Sequence, residues 1–238
     1  MKKLGIIGAM SIEVEALKAQ MEDLSVQTRA GMEFCCGRLE GLDVVIVVCG
    51  VGKVNAALCV QILCDCFGVT HILNTGVAGS LCADLDIGDF VISQDAMYHD
   101  FTCLPLNPAY VVGQVPGISA HAFPADEYLV RVAMEAAQAV HPGHARIGRI
   151  ASGDQFVCSK EQKAQIVADT GALCTEMEGT AIAHAAWRNG VPVVVIRAIS
   201  DKADDSAQMD YPTFEAIAAK RSAEVSKMLA RQLALSEA

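Results

Sequence analysis

The sequence predicts an α/β protein with a largely parallel central sheet, and three observations carry this prediction. Apolar runs of strand length alternate along the chain with stretches whose apolar residues recur at helical spacing. The strand-like runs, such as DVVIVVC at residues 43–49, are continuous and β-branched, which is typical of strands buried on both faces. Apolar residues make up 53% of the 238 residues, and no linker or repeat interrupts them, so we expect one domain over residues 1–238.

The strands are predicted from short apolar runs, several of which stop at glycine. They are residues 3–8, 43–49, 71–76, 89–93, 145–153 and 191–200. Gly76, in HILNTG, is expected to end the third of them. Because ligands bind beyond the carboxyl ends of the strands in such sheets, the residues that follow these runs are the first candidates for a site.

Helices are predicted between the strands, where apolar residues recur every three or four positions. The residues that define them are Val14, Leu17, Met21 and Leu24; Val54, Leu58 and Ile62; Leu129, Val132, Ala133 and Ala136; and Phe214, Ile217, Ala218, Val225, Met228 and Leu229. Ser159 with Gln162 predicts a capping box at the start of a further helix. Residues 101–124 form a loop rich in proline and glycine, and loops of that length are usually functional or interfacial.

Charge and cysteine content argue against several classes of protein. The net charge is −10 and there is no basic stripe, which argues against a nucleic-acid partner. No apolar run is long enough to span a membrane, and Glu13 and Glu15 follow the start MKKLGIIG so soon that we expect a first strand rather than a signal peptide. The ten cysteines form no C-x-x-C pair, so we expect reduced thiols in a cytoplasmic protein, with neither a disulfide framework nor a metal site.

Familiar cofactor and nucleophile motifs are missing from the sequence. The first glycines do not form G-x-G-x-x-G, and Lys53 in GVGKV is followed by Val54 instead of the serine or threonine of a phosphate-binding loop. No G-x-S-x-G elbow is present. The six histidines form no ligand pattern, and we expect structural roles for His184 and for His99 with Asp100 in the segment YHD.

Carboxylates stand where predicted elements meet: Glu13 after the first strand, Glu178 in the segment EMEG, and Asp201 after the last strand. Each has a structural explanation. Glu13 suits the first turn of a helix that Ser11 could cap, and Asp201 could begin a turn. Glu178 forms a capping-box pattern with Thr175. Gathered at the edge of one apolar sheet, the carboxylates also fit an acid/base set.

The motifs around these residues resemble one family over almost the whole chain. GIIGAMSIEVEAL, GVGKVNAAL, NTGVAGSL, IGDFVIS, YHD, SGDQFV, EMEGTAIAHAA and VVVIRAISDKAD look like, and occur in the order of, the 5′-methylthioadenosine/S-adenosylhomocysteine nucleosidases of the purine nucleoside phosphorylase superfamily. The resemblance implies a three-layer α/β/α phosphorylase-type fold with a mixed, partly barrel-like sheet, and a homodimer. It also implies hydrolysis of the N-glycosidic bond of a small-molecule adenine thionucleoside, giving adenine and a thioribose, without a metal or cofactor.

By this resemblance, two carboxylates carry the chemistry. Glu13 is the expected base toward the attacking water, and Asp201 is the expected acid at adenine N7, oriented by Ser200. Cleavage through an oxocarbenium-like state uses such a pair, one carboxyl group to protonate the leaving group and one to activate water. Burial and the nearby Glu13 and Glu178 are expected to raise the pKa of Asp201, as an acid requires near neutral pH.

The other residues that the resemblance singles out are expected to bind the nucleoside. Glu178, ionised at the positive end of its helix, is expected to accept hydrogen bonds from both ribose hydroxyls, with Met177 beside the sugar and Glu176 in a structural role. Phe156 is expected to stack on adenine, whose edge the backbone of Val157 reads. Further expected contacts come from Arg197 near the acid cluster and the sugar, Met10 and Val51 along the sugar and tail, Val77, Ala78 and Gly79 in the glycine-rich turn, and Pro116 in the loop that closes the alkylthio pocket across the dimer interface. Val77 stands where the family often has serine, so the hydroxyl contact of that position is lost.

Other functions remain open on the sequence. A purine nucleoside phosphorylase needs cations around its phosphate. Here the segment after the first strand carries Glu13 instead, and the first arginine of the chain is Arg29. A non-catalytic nucleoside-binding or storage protein is a second alternative, although it would not need all three carboxylates. A related nucleosidase, such as an aminodeoxyfutalosine nucleosidase, is a third. The sequence leaves the main substrate undecided among methylthioadenosine, S-adenosylhomocysteine, 5′-deoxyadenosine and aminodeoxyfutalosine.

Overall fold

A mixed sheet forms the centre of the molecule, which a computed structural model describes over residues 2–107 and 109–236. The strands are β1 Lys3–Gly8, β2 Glu22–Arg29, β3 Met32–Leu39, β4 Leu42–Val48, β5 His71–Ser80, β6 Phe90–Tyr98, β7 Phe123–Pro124, β8 Ala145–Ser152, β9 Cys174–Glu176 and β10 Val193–Asp201. Their order is β10-β6-β8-β9-β5-β1-β4-β3-β2, with β7 beside β6. Because β10 also pairs with β5, the strands β5, β9, β8, β6 and β10 close into a barrel. The predicted mixed, partly barrel-like sheet is therefore confirmed.

Helices cover both sides of this sheet. They are α1 Ser11–Lys18, α2 Lys53–Phe67, α3 Glu127–Val140, α4 Lys160–Thr170, α5 Gly179–Asn189 and α6 Ala207–Leu235. One apolar core lies between the sheet and α1, α3 and α6, and a second lies between the sheet and α2 and α5. This arrangement confirms the predicted three-layer α/β/α fold. Among the described residues, no helix combines the length and the apolar character that crossing a membrane requires.

The sequence prediction is wrong between the first two long strands. Met21 and Leu24 do not extend α1, which ends at Lys18; Leu24 instead lies in β2, and β2 and β3 form an antiparallel extension of the sheet. Two-residue turns connect β2 to β3 and β3 to β4, at Ala30–Gly31 and Glu40–Gly41. All four turn residues have positive φ, from 49° to 81°, as the tight turns favoured in β-hairpins require.

Two further predictions need correction. Strand β5 does not end at Gly76 but continues to Ser80. Helix α2 forms as predicted, yet Val54 is 71% exposed and Leu58 is 48% exposed. Its buried face consists of Ala56, Cys59, Val60, Leu63 and Phe67.

The apolar face predicted for α3 is confirmed, but only the Ser159 half of the capping box predicted for α4 is found, because the Gln162 side-chain amide donates to Gln155 at 2.6 Å. The apolar face of α3 is buried at Leu129, Val132, Ala133 and Ala136. The hydroxyl of Ser159 accepts the N–H of Gln162 at 3.2 Å, so Ser159 caps α4.

Candidate active site

A cavity of about 180 Å³ opens at the carboxyl ends of β1, β5 and β10. Its lining residues are Ala9, Met10, Glu13, Val51, Val77, Ala78, Gly79, Gln155, Phe156, Val157, Thr175, Glu176, Met177, Glu178, Ser200, Asp201 and Tyr211. All of the residues predicted for the site are among them except Arg197 and Pro116. Segments far apart in sequence therefore meet where the topology of an α/β sheet places a ligand.

Glu13 reaches the cavity from the first turn of α1. Its Oε2 accepts the N–H groups of Ala9 at 2.7 Å and Met10 at 2.9 Å, and its Oε1 accepts that of Val77 at 3.3 Å. Ser11 is the first residue of α1 and not its cap, because the preceding Met10 takes that position. Burial raises the pKa of Glu13, although the charge of Arg197 and the three N–H groups oppose this effect. The result is a buried carboxylate of increased basicity.

The glycines within β5 allow two carboxylates to approach the strand. A Cβ atom on Gly76 would lie 2.5 Å from Oε1 of Glu13, and one on Gly79 would lie 2.7 Å from Oδ1 of Asp201. Both distances are shorter than any van der Waals contact allows. Gly76 therefore makes room for Glu13, and it does not terminate the strand as the sequence prediction assumed.

Glu176 fixes the start of α5. Its Oε2 accepts the N–H groups of Glu178 at 3.0 Å and Gly179 at 2.7 Å. It also accepts hydrogen bonds from the hydroxyl of Ser152 and from Nη2 of Arg197. Burial opposes its ionisation, but Arg197 and the hydrogen bonds from Ser152 and Gly179 outweigh burial and lower the pKa of Glu176.

The predicted capping box of Thr175 and Glu178 is wrong. Thr175 lies in β9, and within the described residues its Oγ1 has no hydrogen-bond partner. Glu178 turns away from the helix start and accepts the N–H of Gly52 at 2.7 Å through Oε1. Because Glu176 already takes the N–H groups at the start of α5, this helix end cannot stabilise a charge on Glu178 as the sequence suggested.

The surroundings of Glu178 favour its protonated form. Burial and the neighbouring charge of Glu176 raise the pKa of Glu178 to about 8, against the opposing effects of the Gly52 N–H and Arg197. Burial and Glu176 thus oppose the ionised form that the sequence analysis expected the helix start to favour, and the expected role of Glu178 toward the ribose stays a prediction. The negative charge of the pair belongs to Glu176, which is the carboxylate in contact with the arginine.

Arg197 lies behind the cavity wall rather than in it. Its guanidinium is fully buried and donates to Glu176, to Oδ1 of Asn74 at 2.6 Å and to the carbonyl of Ile196 at 3.1 Å. Its predicted position near the acid cluster is therefore confirmed, with the guanidinium one layer behind the carboxylates, and its expected place near the sugar stays a prediction. Pro116 lies on the exposed part of the long loop, outside the cavity of its own chain, so its expected role depends on a second copy and stays a prediction.

Asp201 and Ser200 share the end of β10. Oδ2 of Asp201 accepts the hydroxyl of Ser200 at 2.9 Å, and Oδ1 accepts the N–H of Ala203 at 2.8 Å. Burial raises the pKa of Asp201, against the lowering effect of the hydrogen bonds from Ala203 and Ser200, and the negative charges of Asp210 and Asp204 add smaller increases. The predicted increase in the pKa of Asp201 is confirmed. The acidic neighbours with the strongest effect are Asp210 in the first turn of α6 and Asp204 just before it, rather than Glu13 and Glu178.

A β-bulge explains why Arg197 and Asp201 differ in environment. Side chains four residues apart on a regular strand lie on the same face. The pairing of β10 with β5 shifts register between Ile199 and Asp201, so both Ser200 and Asp201 reach the cavity while Arg197 stays inside. Bulges commonly re-aim side chains next to active sites.

Tyr211 is a wall residue that the sequence did not reveal. It comes from α6, and its ring meets that of Phe156 edge-on with centroids 5.6 Å apart. Its hydroxyl donates to Glu215 at 2.8 Å and lies 3.4 Å from the sulfur of Met10. Phe156 is 47% exposed and offers its ring to a planar ligand.

The glycine turn before α2 is anchored beside Glu178. The N–H of Lys53 donates to Oδ1 of Asp154 at 2.9 Å, and its ammonium group lies 2.6 Å from Oδ2 of Asp100. Asp100 also accepts the N–H of Asp154 at 2.8 Å. The carboxylate of the YHD segment therefore has the structural role that the sequence predicted, and the anchored turn presents the N–H of Gly52 to Glu178.

The walls of the cavity are acidic and apolar. Four carboxyl groups face it, those of Glu13, Glu176, Glu178 and Asp201, and no lysine, arginine or histidine occurs among the described residues that line it. Buried carboxyl groups with raised pKa values suit proton transfer. The described lining also offers no cationic side chain that would bind a free phosphate dianion.

Comparisons with known proteins agree with this geometry. The model of the phosphorylase superfamily matches residues 3–231. The chain is similar to the 5′-methylthioadenosine/S-adenosylhomocysteine nucleosidase of Geobacillus thermodenitrificans, with 41% identity over 224 residues and 94% of each chain covered. It also resembles the nucleosidase of that name from Colwellia psychrerythraea, solved in complex with adenine, with a TM-score of 0.93, 38% identity, and 98% of this chain and 96% of that chain covered. A futalosine hydrolase of Helicobacter pylori is similar at a TM-score of 0.91 and 34% identity, with 97% of this chain and 98% of that chain covered.

Proposed function

The chain belongs to the phosphorylase superfamily, and from this premise we propose that it hydrolyses the N-glycosidic bond of 5′-methylthioadenosine and S-adenosylhomocysteine to give adenine and the thioribose. One observation carries the proposal beyond the family. The cavity is lined by carboxyl groups and by no cationic side chain of the described residues, which suits water as the nucleophile and disfavours phosphate.

Glu13 and Asp201 divide the proton transfers of this reaction. Asp201 gives its proton to N7 of adenine while the bond between C1′ and N9 breaks, so that adenine leaves as a neutral base. Glu13 takes a proton from water, whose oxygen forms the new bond to C1′. The raised pKa of Asp201 keeps its proton available, and the raised pKa of Glu13 makes it a stronger base.

The rest of the cavity positions the nucleoside. Glu178 accepts hydrogen bonds from the ribose hydroxyls and Met177 packs beside the sugar. Because the pKa of Glu178 is about 8 without ligand, accepting both hydroxyl hydrogens requires this carboxyl group to lose its proton on binding. Phe156 stacks on adenine, and the backbone of Val157 contacts its edge. Met10 and Val51, both at the apolar part of the wall, contact the alkylthio tail.

We also propose that the protein is a cytoplasmic homodimer that pairs through the start of α2. The exposed Val54 and Leu58 lie one turn apart on this helix, and the ion pair of Lys53 with Asp100 holds the helix beside the start of the long loop. Exposed apolar patches of this kind suit a subunit interface. A partner's loop packed here would bring Pro116 toward the cavity. The free thiols support a reducing compartment.

Adenine release from methylthioadenosine in phosphate-free buffer tests the proposed reaction. We expect full turnover without phosphate, with free thioribose as the second product. Dependence of the rate on phosphate, with a ribose 1-phosphate as product, would establish the phosphorylase alternative, and binding without adenine release would establish the storage alternative. Parallel assays with S-adenosylhomocysteine, 5′-deoxyadenosine and aminodeoxyfutalosine rank the substrates, since the similarity to a futalosine hydrolase makes the last a specific alternative.

The dimer is tested by replacing the exposed apolar residues of α2. The Val54→Asp and Leu58→Asp variants should sediment as monomers, keep their secondary structure and release adenine more slowly. A wild-type protein that sediments as a monomer at full activity would contradict this part of the proposal.

A further inference from the structure

Three metal-ligating side chains converge outside the nucleoside cavity: Asp89, His141 and His144. One ligand atom of each lies within 4.8 Å of the other two. His141 is the residue at which α3 ends, and His144 immediately precedes β8. Asp89 immediately precedes β6, which runs parallel to β8 with Phe90 opposite Ala145. The topology thus assembles a ligand set that the spacing of the histidines did not indicate.

The side chains of this set lie in contact with one another. Nδ1 of His144 lies 2.7 Å from Oδ1 of Asp89, and the ring of His141 stacks on that of His144 with centroids 3.9 Å apart. Asp89 is buried, and its Oδ2 accepts the N–H of Asp86 at 2.8 Å, which leaves Oδ1 facing the imidazoles. Nδ1 of His141 lies 3.4 Å from the carbonyl of Gly88, a contact of the kind that orients metal-binding rings.

The backbone beneath the set is held by hydrogen bonds. The N–H of Phe90 donates to the carbonyl of His144, that of Gly88 to Ile199, and that of Ile199 to Asp89, each at 2.8 Å. Zinc bonds of ~2.0–2.2 Å in tetrahedral geometry place ligand atoms roughly 3.3 Å apart. Rotation of the two imidazoles, which are exposed or half-buried, can close the ligand set without moving this backbone.

We propose that Asp89, His141 and His144 bind one divalent transition-metal ion, with Zn²⁺ as the best fit. Imidazole nitrogens with a carboxylate oxygen suit Zn²⁺, Co²⁺ and Ni²⁺, whereas Mg²⁺ and Ca²⁺ prefer oxygen ligands alone. An ion pair accounts for His144 with Asp89, but it does not use His141. Arg221, which donates to the Gly88 carbonyl at 3.3 Å, opposes a cation nearby, so the affinity should be below that of a closed four-ligand site.

The ion would be structural. None of its ligands lines the nucleoside cavity. It ties the end of α3 to the start of β6, and the backbone there holds β10 at Ile199, close to Asp201. An ion that binds the folded chain and not the unfolded chain raises the Tm as its concentration increases.

A chelator first removes metal from the full chain, which is kept reduced. The chain is then titrated with Zn²⁺, and its Tm and the heat of Zn²⁺ binding are measured. We expect one ion per chain at this set and a Tm that rises with Zn²⁺. His144→Gln and His141→Gln should weaken binding at least ~10-fold, because loss of outer-shell support alone costs ~10–100-fold. His121→Gln, at an exposed histidine of the long loop, is the matched control and should change neither quantity. Adenine release by each variant confirms that it is folded.

Titration with Co²⁺ separates this set from the thiols, of which Cys66 is exposed. Binding to two imidazoles and a carboxylate gives cobalt absorption without a thiolate-to-metal charge-transfer band. Equal affinity of the wild type and His144→Gln would show that the ion binds elsewhere and would overturn the proposal. A thiolate band that accompanies the Tm increase would overturn it as well.

Discussion

Replacing Glu176 with glutamine should weaken the fold, whereas the same change at Glu178 should spare the fold and reduce catalysis. Glu176 is buried and accepts hydrogen bonds from Ser152, Arg197 and two backbone N–H groups. Glutamine keeps the volume but leaves the buried guanidinium of Arg197 without its ionic partner. The raised pKa of Glu178, about 8, favours its protonated form, and its one protein hydrogen bond, from Gly52, can also be accepted by the amide oxygen of glutamine.

The magnitudes follow from the two environments. Removing one partner of a buried ion pair costs ~3–5 kcal/mol. In Glu176→Gln, Glu178 can ionise in compensation, because the charge that raises its pKa most is gone, so we expect the lower value, ~3 kcal/mol. At ~2–4 °C per kcal/mol for a chain of this size, the Tm should fall by ~6–12 °C. For Glu178→Gln we expect a stability change below ~1 kcal/mol, since its single hydrogen bond is kept.

Catalysis should respond in the opposite way at Glu178. A hydrogen bond to a charged group contributes ~1.5–3 kcal/mol, and glutamine keeps one acceptor oxygen of the two that the ribose hydroxyls would use. The loss of kcat/KM should therefore be at least ~10-fold, since 1.4 kcal/mol corresponds to a factor of ten.

Urea denaturation, thermal unfolding and adenine release measure both variants under one set of conditions. Glu161→Gln is a suitable control, because Glu161 is exposed in the first turn of α4 and should change stability by less than ~0.5 kcal/mol. The reasoning fails if Glu176→Gln is as stable as the wild type. It also fails if Glu178→Gln loses stability while its kcat/KM is unchanged, since Glu178 would then be the structural residue of the pair.

Other predictions concern the remaining groups of the cavity. Glu13→Gln should nearly abolish adenine release but still bind adenine in calorimetry, because Glu13 acts on water; wild-type turnover would remove it from the mechanism. Asp201→Asn should lower turnover by at least ~10²-fold on adenine substrates and much less on a p-nitrophenyl riboside with the same tail, and equal losses would contradict its role as acid. The pKa of Glu178 rises from about 4.3 in the unfolded chain to about 8 in the folded one, so the folded state binds more protons between these two pH values. The free energy of unfolding should therefore fall as the pH rises through this range. The decrease should be larger in the wild type than in Glu178→Gln. If the free energy of unfolding depended on pH equally in the two proteins, the raised pKa could not belong to Glu178. Gly76→Ala should lower the free energy of unfolding, measured by urea denaturation, by ~1–3 kcal/mol and should reduce activity. The reason is that the new Cβ collides with Oε1 of Glu13 at 2.5 Å. An unchanged kcat/KM would show that catalysis does not need Glu13 in this position.

The strands of the central sheet could be predicted because a strand that is buried on both faces has a continuous run of apolar residues in the sequence, as at residues 43–49 and 191–200. Strand β2 lacks any such pattern, since all of its residues are exposed. The signal available for it was the turn chemistry, Ala30–Gly31 and Glu40–Gly41, each followed by a β-compatible segment. Helical spacing at Met21 and Leu24 was coincidental, because Met21 packs against the core from the segment between α1 and β2, and Leu24 is exposed in β2.

The site could be predicted as a set of residues but not as a set of contacts. Sequence motifs identified most of the wall because its residues follow strands that end at one edge. The entry of both Ser200 and Asp201 into the cavity depends on the bulge at the end of β10, which leaves no periodic signal. Tyr211 belongs to a long helix that starts beyond the last strand, so only the packing of α6 over the barrel brings it to the cavity. The roles of Glu176 and Glu178 were likewise decided by which carboxylate reaches the arginine.

The two proposed catalytic carboxyl groups are distinguished by their charged neighbours. Burial raises the pKa of both Glu13 and Asp201, so burial alone does not assign acid and base. Arg197 favours the ionised form of Glu13, which a base requires. Asp204 and Asp210 favour the protonated form of Asp201, which an acid requires. Arg197 lies within β10 behind the cavity, whereas the two aspartates follow β10 toward α6, so charges of opposite sign act on two buried carboxyl groups whose pKa values are both raised.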